Sequence, residues 1–205
     1  MLKDILIKSA ELLNRDDIIN ELLNQNNIQN SSLQNDILRL ISYYNYTIKN
    51  LCQNYFPIEA TDIISSDKNR KIYYTSFSFE PLKILSVTSN EKFHFYQEST
   101  THILVPSQNK IYEVKYTYLP EQITDLNSKE KLPRNINEKI IIYGIISEFL
   151  ASKNMLEESK FWNNKFMLEI YKSRVNSNKR LKATFKLWAK KNFIYFLSFQ
   201  MMNQS

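Results

Sequence analysis

The stretch Glu138–Lys172, EKIIIYGIISEFLASKNMLEESKFWNNKFMLEIYK, decides the fold. It reads as two helical runs meeting near Lys153–Leu156. In the first, Ile142, Ile145, Ile146 and Phe149 recur at spacings of three and four, which place side chains on one helical face. In the second, Glu158, Trp162, Phe166 and Ile170 recur every four residues. Gly144, the only glycine of the chain, lies inside the first run together with Tyr143. A glycine there costs roughly 1 kcal/mol against alanine. Close approach of another backbone element offsets that cost, so Tyr143, Gly144, Phe149, Trp162 and Phe166 are read as structural core.

Upstream, residues 2–14 fit a short amphipathic helix carrying Leu2, Ile5, Leu12 and Leu13. A second, about Asp16–Asn24, carries Ile18, Ile19, Leu22 and Leu23, with Asn14 or Asp16 as its cap. The Asn-rich segment 24–32 reads as a loop. From Leu33 to Phe56, Ile37, Leu40, Ile41, Tyr44, Ile48, Leu51 and Tyr55 keep helical spacing until Pro57 ends the run.

Between these helical parts the pattern changes. Lys71–Phe79, Leu82–Val87, Lys92–Gln97, Thr101–Val105 and Lys110–Tyr118 are rich in β-branched and aromatic residues, separated by Ser-Asn-Glu and Pro-Ser-Gln-Asn turn signals. They predict antiparallel strands. Alternation is nearly regular in the last, with Tyr112, Val114, Tyr116 and Tyr118 on one face. The fold class expected is α+β: a helical bundle (1–57 and 120–172), a β-rich insertion (58–119) and an extended basic C-terminal arm (173–205).

The chain of 205 residues is 43% hydrophobic and 13% aromatic, enough for a real core. Its single cysteine, Cys52, excludes an internal disulfide and a cysteine-cluster zinc site, and is read as a small buried residue. No signal peptide is visible, and no apolar run approaches the roughly 20 residues that span a bilayer. A soluble intracellular protein, or one assembled inside a cell, is the expectation. The net charge of +6 and pI near 9.2 favour anionic partners.

Catalytic chemistry is not legible. His94 and His102, the only histidines, fall in predicted strands without a carboxylate cluster at metal-ligand spacing. One glycine rules out a Gly-rich phosphate loop, and no serine sits in a nucleophile-elbow pattern. Glu157 and Glu158 open the second helix of the hairpin, where carboxylates favour the positive end of the dipole. No enzyme, no metal and no cofactor are expected. The strand tyrosines are read as core or interface ahead of base-stacking platforms.

The most distinctive functional signal is the C-terminus. After Glu169 no acidic residue occurs, while Lys172, Arg174, Lys179, Arg180, Lys182, Lys186, Lys190 and Lys191 are basic, interleaved with Leu181, Phe185 and Trp188. One-signed charge gains nothing from internal ion pairing. A docking arm for an acidic or apolar groove accounts for the pattern, and so does an interfacial membrane helix.

The order of elements resembles the head-to-tail adaptor (connector, or head-completion) proteins of tailed bacteriophages. The residues carrying the resemblance are Tyr116, Tyr118 and Pro120 at the exit of the insertion, Leu132 and Pro133 in the connector, Tyr143, Gly144 and Glu148 in the first helix of the hairpin, and Glu158, Trp162 and Phe166 in the second. It covers about residues 110–172 and is architectural before that. The resemblance implies a virion subunit without enzymatic activity. Such subunits form a homo-oligomeric ring, commonly of twelve copies, beneath the portal protein at one capsid vertex, with viral DNA passing through the lumen and no membrane involved. It makes Lys179, Arg180, Lys182, Phe185 and Trp188 candidate portal contacts, and residues 58–119 candidate contacts to the tail or nozzle protein. The chain departs from the usual pattern in its apolar ending, 193–202, and its long N-terminal section. The alternative function is a basic nucleic-acid-binding protein.

Overall fold

The computed structural model describes residues 2–24, 31–124, 126 and 136–175. Its elements in order are helices α1 (Leu2–Leu12), α2 (Asp16–Asn24) and α3 (Ser31–Asn54), strands β1 (Ile58–Ser65), β2 (Lys71–Tyr73), β3 (Pro81–Ser89), β4 (Lys92–Phe93), β5 (Gln97–Glu98), β6 (His102–Leu104) and β7 (Ile111–Tyr118), then helix α4 (Glu138–Ser152). A final helix, α5, covers residues 156–175. The chain is α+β, with the β region inserted between α3 and α4.

Helix α4 is the centre of the bundle. Ile140, Ile141, Ile142, Ile145, Ile146, Phe149 and Leu150 are all buried, so its apolar surface is far wider than the single face the spacing suggested. A helix apolar nearly all round belongs inside a core, and α4 packs against both α1 and α3. Each buried Ile or Leu contributes roughly 1.5–3 kcal/mol of transfer free energy. The same core takes Leu2, Ile5, Leu6 and Ala10 from α1, the Ile37–Leu51 stripe of α3, and Phe166 and Ile170 of α5. Leu12, expected inside, is half exposed, because Leu6 and Ala10 hold the inward face, and Leu12, two residues past Ala10, falls on the opposite side of the helix.

Asparagine makes the sharp turns that glycine makes elsewhere. Asn14 (φ 53°) and Asn154 (φ 61°) are left-handed, a conformation Asn tolerates better than most residues. Arg15 N–H reaches Ala10 O at 3.0 Å and Asn14 N–H reaches Glu11 O at 3.1 Å. Met155 N–H reaches Leu150 O and Asn154 N–H reaches Ala151 O, both at 3.0 Å. These paired bonds form the Schellman cap. Asn14 therefore closes the end of α1 and does not open α2, which starts from the Arg15 carbonyl, acceptor for the amides of Ile18 and Ile19. At the other end of α4, the Asn137 side chain accepts from Ile140 N–H at 3.0 Å, an N-cap.

The insertion has its own core between two antiparallel sheets, ordered β1-β7-β3-β4 and β2-β6-β5. Tyr112, Val114 and Tyr116 of β7 share a core with Ile72 and Ile103 of the smaller sheet and Val105 just past β6. The expected alternation of β7 is thus realised, with Tyr112 and Tyr116 fully buried. The sequence pattern did not single out β1, although all eight of its residues pair with β7. The predicted strand Lys71–Phe79 stops at Tyr73 and turns through a short 3-10 segment, Tyr74–Ser76. Beyond it Asp62 accepts from Ser78 N–H (2.7 Å), Ser78 Oγ (2.9 Å) and Tyr116 Oη (2.8 Å), holding residues 77–79 across the sheet. The predicted strand Lys92–Gln97 is likewise divided. Its start pairs with β3 and Gln97 pairs with β6, so the intervening residues carry the chain from one sheet to the other.

Candidate interaction surfaces

Gly144 sits where three helices meet. A Cβ at this position would lie 2.5 Å from Thr47 Cγ2 and 3.0 Å from Thr47 Oγ1 on α3, and 3.2 Å from Phe166 Cε2 on α5. Close approach is therefore what its missing side chain permits, and the neighbours are helices of the same chain. One turn on, Ser147 and Ser159 exchange hydrogen bonds: Ser147 Oγ donates to Ser159 O at 3.1 Å and Ser159 Oγ to Ser147 O at 2.9 Å. These bonds fasten α4 to α5. Phe149 is buried, whereas Tyr143 and Trp162 are half-buried with ring centroids 5.3 Å apart. Lys165 Nζ lies 4.5 Å from the Trp162 ring centroid and 4.4 Å from that of exposed Phe161, within cation–π range.

Both Asn-capped turns are held by one acid. Asp36 of α3 is buried and takes Arg15 at 3.0 Å and Lys153 at 2.9 Å, residues adjoining Asn14 and Asn154. Burial, the largest influence, pushes its carboxyl pKa up, but the hydrogen bonds and charges of Lys153 and Arg15 outweigh it and hold the pKa below its ordinary value. Glu148 differs: burial raises its pKa. Sequence spacing gave no hint of the Asp36 clasp, since its partners are 21 and 117 residues away.

Among the described residues, large apolar side chains are exposed on several surfaces, of which three stand out. The outer face of the four-stranded sheet has a row running Ile63–Glu113–Thr88–Phe93 across all its strands. Ile63 is 78% exposed, Phe93 79%, and Phe95, two residues on, 98%. The turn between β3 and β4 is made by Asn90 and Glu91, both with positive φ, the geometry of a type I′ hairpin. The second surface is a cavity of about 520 Å³ between α3 and residues 119–124. Asn45 holds the latter like a strand partner, donating to Ile123 O at 2.8 Å and accepting from Ile123 N–H at 2.9 Å. The third is a groove of about 330 Å³ at the end of α5, lined by Tyr55, Met167, Ile170, Tyr171, Arg174 and Val175. Tyr171 there is 67% exposed.

The arm candidates Lys179, Arg180, Lys182, Phe185 and Trp188 lie outside the described residues, and α5 continues through residue 175, past the expected start of the arm. Cys52 is buried and, as the single cysteine, is in no internal disulfide. His94 lies just beyond β4, its ring edge-on to Tyr112 at 5.5 Å; His102 opens β6 and its Nδ1 lies 3.0 Å from Thr101 Oγ1. Among the described residues, no three His, Cys, Asp or Glu side chains are grouped to hold a metal, and no helix is long and apolar enough to cross a membrane. No protein-family model and no curated protein matches the chain.

Charge is strongly divided along the chain. The eight cations from Lys172 onward exceed the net charge of +6, so everything before them is net acidic.

Proposed function

We propose that this chain is a structural subunit of a virion adaptor ring, joining a portal to a tail component around a DNA channel. The observation that carries the reading is the division of labour along the chain. A helical bundle with a closely packed α4–α5 hairpin is interrupted by a separately cored β module, and it is followed by a basic, Trp-bearing segment. In this reading the bundle builds the ring, which would leave the exposed Ile63–Phe93–Phe95 face for the tail. Residues 176–205, with Lys179, Arg180, Lys182, Phe185 and Trp188, supply the portal contact. Exposed apolar patches of this kind mark interaction sites.

Removing residues 176–205 spares every described core residue. The truncated protein should keep its circular dichroism and melting cooperativity yet lose co-sedimentation with portal assemblies. Normal portal binding by the truncation would overturn the arm assignment.

The charge division also favours a second reading, a nucleic-acid-binding tail on a body close to neutral. That reading requires an affinity falling steeply with salt, because phosphate contacts release counterions. It does not use Tyr112 or Tyr116 as stacking platforms, since both are fully buried.

A further inference from the structure

The seam between α3, α4 and α5 contains an acid that its surroundings do not compensate. Glu148 of α4 lines a cavity of about 40 Å³ bounded by Tyr46, Thr47 and Asn50 of α3 and by Asn163 and Phe166 of α5. Its side chain is half-buried. No hydrogen-bond or ion-pair partner reaches it among the described residues. Polar neighbours are engaged elsewhere: Asn50 Oδ1 accepts from Asn54 Nδ2 at 2.7 Å, and Ser147 is bonded to Ser159. We propose that this notch is a binding site for a lysine ammonium, presented by the side chain of an associating protein subunit.

The other bundle carboxylates show what Glu148 lacks. Asp36 takes both Arg15 and Lys153, and Glu138 takes Lys8. A carboxylate drawn partly out of water costs free energy unless a cation or donor meets it. Burial is what raises the carboxyl pKa of Glu148, and among the described residues no charge offsets it. A local rule broken without compensation inside the chain is expected at functional positions. The cavity lining selects the ligand. It includes no cation, and Tyr46 is its other titratable group. Beside the carboxylate, Asn50 and Asn163 bring carboxamide oxygens, acceptors suited to an ammonium with three donors. Size separates lysine from arginine. A cavity of about 40 Å³ is close to the volume of one water, about 30 Å³. An ammonium is a compact point charge, whereas a guanidinium is a broad planar fork. Tyr46 and Asn163 are exposed, so a long side chain can enter from solvent and lay its stem over the rim. The inference stands on the bundle alone and does not depend on the adaptor reading.

The test is urea denaturation of the full chain, wild type against Glu148→Gln, with N-acetyl-lysine methylamide as the probe. A raised folded pKa means that the stabilisation is fully present below the unfolded glutamate pKa, about 4.3, and is lost as pH rises through the folded value. Glu148→Gln should therefore have a folding equilibrium constant several-fold larger than wild type at pH 7, with the two converging below pH 4. At ten times its dissociation constant the probe should raise the wild-type folding constant about tenfold and leave Glu148→Gln unchanged. The probe acetylated on Nζ should do nothing, and the arginine counterpart should bind more weakly. A Glu148→Gln variant no more stable than wild type at pH 7 would mean that the carboxylate is already compensated, and overturns the proposal. Equal responses of the two proteins to the lysine probe, or of wild type to the probe and its acetylated form, overturn it as well. Binding of 1,4-diaminobutane more than about tenfold tighter than the lysine probe would assign the site to a free amine and not to a protein side chain.

Discussion

At Gly144 two opposing terms compete, and their magnitudes decide the outcome. Alanine gains about 1 kcal/mol of helix propensity over glycine. Its Cβ, however, meets Thr47 Cγ2 at 2.5 Å, and Thr47 is 2% exposed and β-branched, with little freedom to turn away. Overpacking of this kind costs about 1–3 kcal/mol. Gly144→Ala should therefore lower stability by about 1 kcal/mol in chemical denaturation. Thr47→Ala removes both close atoms, so the double variant should recover the loss, giving a coupling energy of at least about 1 kcal/mol. Additive effects of the two substitutions would show that the helices separate readily there.

At the scale of elements, the two Asn-capped turns and α3 form one unit through Asp36. Its folded pKa lies below the ordinary value, so its stabilisation is fully present above the unfolded carboxylate pKa, about 3.9. It is lost as pH falls through the lower folded value. Asp36→Asn should cost about 1–2 kcal/mol at neutral pH, between the values for exposed and buried pairs. The difference from wild type should shrink toward zero near pH 2 in urea titrations. A gap independent of pH would mean that packing, and not charge, holds the turns. This clasp marks the limit of what the sequence made legible. The hairpin, the α2 boundaries and the β7 alternation were readable because each depends on spacing within one element. Strand β1 was not, since IEATDIIS becomes a strand only beside β7. The split of Lys92–Gln97 was hidden for a similar reason: Tyr96 Oη donates to Ile84 O at 3.1 Å, so the path over the sheet edge is set by a tertiary partner. The full burial of α4 on both flanks also required α1 and α3 to be in place. Of the candidate site residues, Tyr143, Gly144, Trp162 and Phe166 come together at the α4–α5 seam and Phe149 lies in the same core.

For the whole molecule, two cores share one chain, the bundle's and the insertion's, and they adjoin where Ile58, the first residue of β1, and Leu119, just past β7, pack onto the bundle. The exposed Ile63–Phe93–Phe95 face and the groove beneath Tyr171 leave apolar area uncovered in both halves. In the proposed adaptor reading, the sheet face is the surface offered to a tail component. The central claim is that copies of this chain close into a ring on a portal. Native mass spectrometry of the full chain, mixed with portal from the same virion, measures it most directly. The account predicts a discrete complex with a fixed, integral number of adaptor chains per portal ring, abolished when residues 176–205 are removed. A chain that stays monomeric beside an intact portal would contradict it.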